Sequence, residues 1–203
     1  MIPPPISDPE LEALLQRLEE EGIAHDAAQS EHRRKRLNLE TPTARLLQLL
    51  ILATRRRRVL EIGTSNGFSA LWIAAALRRL PGAKPLITIE RDPKRAAEAR
   101  ENLSQAGLAP WTDIRIGEAT GVVSGLEGPF DAVFFDADRV SAPEQLSRLL
   151  PKLEADALLL ADNALSHPVE IASYIEAVGQ LPGFLSMTIP IGKGLHVAHR
   201  FQA

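Results

Sequence analysis

Apolar residues along this chain follow two rhythms. Leu11, Leu14, Leu15 and Leu18 recur at helical spacing behind Asp8-Pro9, which predicts a helix from that pair to Gly22. Leu46, Leu47, Leu49, Leu50 and Ile51 form a broad apolar face behind Thr41-Pro42, which predicts a helix capped by Thr41. Between them a largely polar stretch, roughly 26–36, reads as a further helix, and the proline-rich lead from Met1 to Pro5 has little reason to be ordered. From Arg58 onward short apolar runs alternate with helical patterns. Strands are predicted near 58–62, 85–90, 112–116, 130–136, 156–162, 184–190 and 194–199. Helices are predicted near 67–80, 93–106, 119–126, 142–152 and 168–181. Asp92-Pro93 starts one of them and Gly107 stops it, while Ser141-Ala142-Pro143-Glu144 has the form of a capping box.

The strands set the fold class. Ala132-Val133-Phe134-Phe135 and Ala157-Leu158-Leu159-Leu160-Ala161 are apolar throughout, as a sheet covered on both faces demands. Only Pro190-Ile191-Gly192-Lys193 separates the last two strands, too little for a crossover helix, so they should form a hairpin. The expected architecture is a doubly wound α/β sheet of seven strands, mostly parallel with one antiparallel member. Helices cover both faces, with extra helices at the N-terminus. Residues 1–57 are expected to form a helical part of the same domain and 58–203 its ligand-binding part.

In such sheets ligands collect beyond the C-terminal strand ends. There the sequence carries Glu61 and Gly63, Glu90, Gly117-Glu118-Ala119, Asp136-Ala137-Asp138-Arg139 and Asp162-Asn163. The stretch Glu61-Ile62-Gly63-Thr64-Ser65-Asn66-Gly67-Phe68-Ser69 runs from an apolar strand through a glycine turn into an apolar helix. That arrangement offers backbone N–H groups and a helix N-terminus to a nucleoside-type ligand. Glu90 ends the next strand, where a carboxylate either accepts the hydroxyls of a ribose or is a plain surface residue. The turn lacks the G-x-G-x-x-G fingerprint of pyrophosphate binding, and a ribose acceptor without that loop points to S-adenosylmethionine (SAM). Asp136 and Asp162-Asn163 also carry two readings. If the fourth and fifth strands are neighbours, two carboxylates and an amide oxygen converge on a hard-oxygen site for Mg²⁺ or Ca²⁺. Otherwise each serves its own turn. His167, His196 and His199 lack the spacing of a ligand or relay set and read as surface or edge-strand residues. Trp72 reads as core, and Trp111 as loop packing or a residue bordering the adenine.

Composition narrows the picture further. At 203 residues and 45% hydrophobic content the chain suits one soluble domain with a sizeable core. A net charge of −3 gives no overall pull toward nucleic acid or an anionic membrane. Two basic runs, Arg33-Arg34-Lys35-Arg36 and Arg55-Arg56-Arg57-Arg58, read as solvated faces. The absence of cysteine excludes thiolate metal sites and a cysteine nucleophile. No apolar run approaches a membrane span and no signal-peptide pattern opens the chain, so a cytoplasmic location is the default expectation.

Taken in order, Val59 to Ser69, Glu90, Phe130-Asp131-Ala132-Val133-Phe134-Phe135-Asp136-Ala137-Asp138, Asp162-Asn163 and Ile189 to Leu195 resemble a known family. It is the metal-dependent class I O-methyltransferases, the group of catechol and caffeoyl-CoA O-methyltransferases, and the resemblance runs from about Leu37 to Val197. It implies a Rossmann-like fold, SAM as donor, and a divalent cation, Mg²⁺ first with Ca²⁺ or Mn²⁺ as alternatives. Glu61, Gly63, Ser65 and Ser69 would surround the methionine part of the donor and Glu90 would bind its ribose. Glu118 and Ala119 would lie against the adenine, while Leu39 and Thr41 close over the donor. Asp136, Asp162 and Asn163 match the metal ligands, and Asp136 also counts with the donor site and, beside Arg139, with the catalytic residues. The implied acceptor is a small catechol-like or polyhydroxylated aromatic, and such relatives are often homodimers.

Three positions depart from the family pattern. Arg139 stands where a lysine is usual; it stays protonated and cannot be a general base, though it can hold an oxyanion. Ser141-Ala142 stands where a tyrosine is usual, and Lys193 replaces a common acidic residue. Two other readings therefore stay open. One is methylation of a hydroxylated uridine in tRNA, with the arginine runs beside the cleft; the other is a SAM-binding protein whose catalysis has drifted.

Overall fold

The ends of the fourth and fifth strands meet because of one pairing. In the computed structural model, which describes residues 8–31 and 35–201, β4 (Phe130–Phe135) lies parallel to β5 (Leu153–Ala161) with Phe135 opposite Ala161. The remaining strands are β1 (Val59–Ile62), β2 (Leu86–Glu90), β3 (Thr112–Ile116), β6 (Phe184–Ile189) and β7 (Leu195–Arg200). They form one seven-stranded sheet in the order β3-β2-β1-β4-β5-β7-β6. Only β7 runs antiparallel to its neighbours, so the hairpin and the mostly parallel sheet expected from the sequence are both present.

Alternation along the strands sends side chains to two separate cores. Ala132, Phe134, Leu158 and Leu160 face the one that also takes up α1 (Pro9–Ala27), α2 (Thr41–Ala53) and α3 (Phe68–Leu77). Phe130, Val133, Phe135, Leu159 and Ala161 face the other, covered by α5 (Ala119–Gly125), α6 (Ala142–Leu149) and α7 (Pro168–Gly179). α4 (Pro93–Gln105) adds Leu103 to the first core. Every residue of α3 is buried, Trp72 included, so this helix is apolar all round because it is enclosed all round. Trp111 packs partly buried against the same core.

The N-terminal region departs from expectation. α1 does not stop at Gly22 but continues to Ala27, and no separate helix is formed by the described part of 26–36. Gly22 is tolerated inside the helix because the Asn38 side chain packs onto it and donates to the Leu18 carbonyl at 3.0 Å. Thr41 is the first residue of α2 rather than its cap, and its hydroxyl turns to Glu19 at 2.7 Å. The capping box at Ser141 is also absent: that hydroxyl donates to Asp138 instead. Asp8 and Asp92 cap α1 and α4 as read, accepting the N–H groups of Leu11 and Lys94.

The second arginine run sits at the N-terminal end of β1, the sheet edge opposite the ligand edge. It is not simply a solvated face. Arg56 is buried, donating to the Asp156 carbonyl at 2.6 Å, while Arg58 lies over the Phe130 ring at 5.5 Å. Asp131 accepts the N–H groups of both Arg57 and Arg58. Of the first run, Arg33 and Arg34, like Met1 to Pro5, lie outside the described residues. Among the described residues no helix is long and apolar enough to cross a membrane.

Candidate active site

The strand order reverses between β1 and β4, and a cleft of about 510 Å³ opens there beyond the strand ends. Its floor begins with the turn after β1. Gly63 and Thr64 donate to the Ile89 carbonyl at 3.0 and 3.1 Å, Gly67 donates to Thr64, and α3 starts at Phe68. Gly63 takes φ +106°, and a Cβ on it would fall on the backbone of Asp136. The turn and the Asp136 strand end are therefore in direct backbone contact. Asp136 closes the contact from its side by donating its N–H to Ile62 at 2.9 Å.

Glu90 is buried and its carboxylate is fixed by two backbone donors, Ser65 N–H at 2.8 Å and Asp92 N–H at 2.9 Å. Each oxygen keeps a lone pair for a ligand hydroxyl. Gly117, Glu118 and Ala119 line the cleft beside it; Glu118 caps α5 through Gly121 N–H, and its backbone hydrogen bonds hold its carboxyl below the usual range. Leu39 lines the cleft and is buried, Ser69 lines it from the first turn of α3, and Ser65 accepts a further role. Its hydroxyl donates to the Arg36 carbonyl at 3.2 Å, and Arg95 donates to the Lys35 carbonyl at 2.9 Å, so the segment 35–39 is strapped across the cleft. Thr41, tied to Glu19, is outside the lining.

Glu61 and Asp162 sit just behind the cleft surface. Glu61 is fully buried; Thr88 donates to its Oε2 at 2.6 Å, while Oε1 has no hydrogen-bond partner among the described residues. Burial pushes its carboxyl up to about 7, with the nearby Ser69 hydroxyl and that of Thr88 opposing the shift and Glu90 adding to it. The folded state therefore holds more protons than the unfolded chain between about pH 4.5 and 7, and stability falls as pH rises through that window. Glu61→Gln is expected to raise stability at pH 8 by on the order of 2 kcal/mol relative to wild type and to leave it almost unchanged at pH 5. Urea denaturation of both proteins at the two pH values checks it; equal differences at both would show that the buried charge is not the cause.

Asp136 and Asp162 follow Phe135 and Ala161 at the ends of adjacent strands, joined by Asp162 N–H to the Phe135 carbonyl at 3.1 Å. Asp162 Oδ1 is buried without a partner among the described residues. Asn163, at φ +67°, donates to Asp162 Oδ2 at 2.9 Å, and its Oδ1 accepts from Ser166. Burial raises both carboxyls, and for Asp136 the neighbouring charge of Asp162 raises it further. Two acids that repel each other, Asp136 half-buried and Asp162 buried with an orphaned oxygen, fit a hard divalent cation, with the Asn163 amide as third donor. Among the described residues no group of three or more His, Cys, Asp or Glu side chains is placed to hold a metal ion, so a cation here would draw on two carboxylates and an amide.

Three residues at this end were not read from the sequence as site residues. Glu40 raises and Lys193 lowers both carboxyls, and the two pair at 2.8 Å. Gln145 of α6 lines the cleft although buried. Arg139 lines it too, with its guanidinium on Glu170 of α7. One histidine differs from expectation: His196 is buried against Tyr174 on a strand inside the sheet, where burial lowers its pKa, while His167 is partly exposed at the border of the cleft.

A model of the O-methyltransferase family matches residues 10–176. The chain belongs to that family. The catechol O-methyltransferase of Niastella koreensis is 38% identical over 125 residues, 60% of this chain and 55% of that protein. That of Mycobacterium tuberculosis is 35% identical over 162 residues, 78% of this chain and 66% of that protein. The chain thus spans between about half and two thirds of the length of these two relatives. The crystal structure of the O-methyltransferase of Streptomyces achromogenes involved in tomaymycin synthesis, in complex with SAM, superposes at a TM-score of 0.76. It is 26% identical, with 97% of this chain and 92% of that one covered.

Proposed function

We propose that this chain is a SAM-dependent, divalent-cation-dependent O-methyltransferase acting on a small catechol-like or polyhydroxylated aromatic. One observation carries the reading: two mutually repelling carboxylates, Asp136 half-buried at the cleft wall and Asp162 buried behind it, stand side by side where a glycine turn of the donor type touches Asp136 backbone to backbone. When bound, SAM supplies an electrophilic methyl group, and a cation held by Asp136, Asp162 and Asn163 supplies Lewis acidity toward vicinal acceptor oxygens.

The protein's own work is alignment and charge. Glu90, pre-set by two N–H groups, accepts ribose hydroxyls without reorganising. Glu61, buried behind the turn, has an unpartnered Oε1 to offer the methionine end of the donor, and Ser69 a hydroxyl at the helix start. Leu39 and the strapped segment around it exclude water over the donor. The acceptor is aligned at the Asp136 and Asn163 end, where its oxygen can approach the methyl in line.

Methyl transfer from SAM to a panel of catechols with Mg²⁺, measured with and without chelator, tests the reading. Turnover that chelator removes is the expected result. SAM binding with no turnover on any acceptor would instead favour the drifted protein. The tRNA reading has support from one run alone: Lys35 and Arg36 line the cleft, but the Arg55 to Arg58 run belongs to the sheet edge away from it and Arg56 is buried. Tight, salt-sensitive tRNA binding would revive it.

A further inference from the structure

The hairpin turn between β6 and β7 is locked against the acid pair from two sides. Ala164 donates to the Gly194 carbonyl at 2.9 Å, and Leu165 and Ser166 donate to the Lys193 carbonyl at 2.9 and 3.0 Å. These donors lie directly after Asp162-Asn163, so the turn and the acid pair are registered to each other. On the other side the turn meets the start of α2 so closely that a Cβ on Gly192 would stand 2.6 Å from Glu40 Oε2. Lys193 is thereby aimed into the cleft that Asp136 and Asn163 line, with its ammonium on Glu40 Oε1 at 2.8 Å. An ammonium has three donors, and Glu40 takes one face of it.

Arg139 is engaged elsewhere. Its Nε and Nη2 both donate to Glu170 Oε2, at 2.9 and 2.7 Å, which draws the guanidinium toward α7. The cation facing the acid pair in this chain therefore comes from the hairpin rather than from the segment after β4.

We propose that Lys193, held in place by Glu40, contacts the acceptor and stabilises its reacting oxygen as an oxyanion. The inference rests on the O-methyltransferase reading of the cleft. The acceptor hydroxyl gives its proton to solvent, and an oxygen lone pair forms the O–CH₃ bond. The C–S bond of SAM breaks as it forms, and its electron pair stays on sulfur as a neutral thioether. Lys193 supplies charge alone and takes no proton from the acceptor, while Glu40 acts as a positioning residue.

The test uses 4-nitrocatechol, whose ionisation is visible as a colour change, bound to the full chain with Mg²⁺ and S-adenosylhomocysteine. In wild type the bound probe is expected to ionise at lower pH than the free probe. Lys193→Met should move that ionisation up by about one unit and lower kcat for methyl transfer by roughly 10- to 100-fold. Lys193→Arg should restore most of the ionisation shift, Glu40→Gln should lose part of it, and Arg139→Met should cost about threefold in kcat. S-adenosylhomocysteine affinity within about twofold of wild type verifies that each variant is folded. A wild-type ionisation curve in Lys193→Met, with a full loss in Arg139→Met, overturns the inference and leaves the O-methyltransferase reading intact. Wild type that binds S-adenosylhomocysteine but neither binds nor methylates the probe or any catechol overturns both.

Discussion

Asp136→Ala is expected to lower methyl transfer by about 10³-fold, roughly 4 kcal/mol in the barrier, while raising the melting temperature of the cation-free protein. The two effects share one cause. Asp136 is held at the end of β4 by its N–H bond to Ile62, and burial and the neighbouring Asp162 both oppose its ionisation. With alanine there, Asp162 no longer faces a like charge and the cation-free fold relaxes, so stability above pH 6 should rise. The same change leaves one carboxylate and one amide where a cation needs more charge to offset its lost water. Mg²⁺ should therefore stabilise wild type in a thermal melt and do nothing for the variant. A variant that keeps more than a tenth of wild-type turnover would show that Asp136 is not part of the acid pair's chemistry. A variant that loses activity and melts lower would show that Asp136 is structural.

The strands and helices after residue 58 were legible because each is governed by local pattern. β4 and β5 are apolar on both faces, and the alternation of Ala132, Val133, Phe134 and Phe135 between two cores is what their composition demands. The glycine turn was legible for the same reason, since Gly63 and Gly67 take positive φ in a strand-to-helix link whose residues are consecutive. The convergence of Asp136 with Asp162 needed one fact that no local pattern encodes, the adjacency of β4 and β5. The sequence could state it only as a condition.

What was illegible depends on contacts between distant segments. Gly22 carries the mark of a helix end, but Asn38 fills the space above it and α1 runs on. Asp26, inside the continued helix, accepts the N–H groups of Arg36 and Leu37 and anchors the strap over the cleft. Arg56 looks like part of a solvated run until its partner Asp156, 100 residues away, is brought to it. Glu40 is the sharpest case. It lies between Leu39 and Thr41, both singled out for closing over the donor, yet the residue between them faces the acid pair and Lys193. Its signal was charge beside an apolar strap, and only the folding of the β6–β7 turn onto α2 gives that charge a partner.

Gly63→Ala should be the most damaging small substitution in the cleft, costing on the order of 3 kcal/mol and roughly 10 °C in melting temperature. Two penalties add. At φ +106° an alanine pays left-handed strain, and its Cβ would meet the Asp136 carbonyl group, with the carbonyl carbon at 2.8 Å and Ala137 Cβ at 3.2 Å. Backbone cannot swing aside as a flexible side chain can, so the relief must come from separating the turn from the end of β4. Gly82→Ala isolates the first penalty, because Gly82 has φ +79° but nothing within 4 Å of a Cβ. It should cost only about 1 kcal/mol and leave the cleft untouched. The difference between the two variants measures how rigidly the turn is joined to Asp136. Because that joint aligns the donor turn with the acid pair, Gly63→Ala should weaken SAM binding and Mg²⁺ binding together, by tenfold or more each. Isothermal titration of the two ligands decides it: loss of one affinity with the other intact would mean that the turn and the acid pair are independent sites.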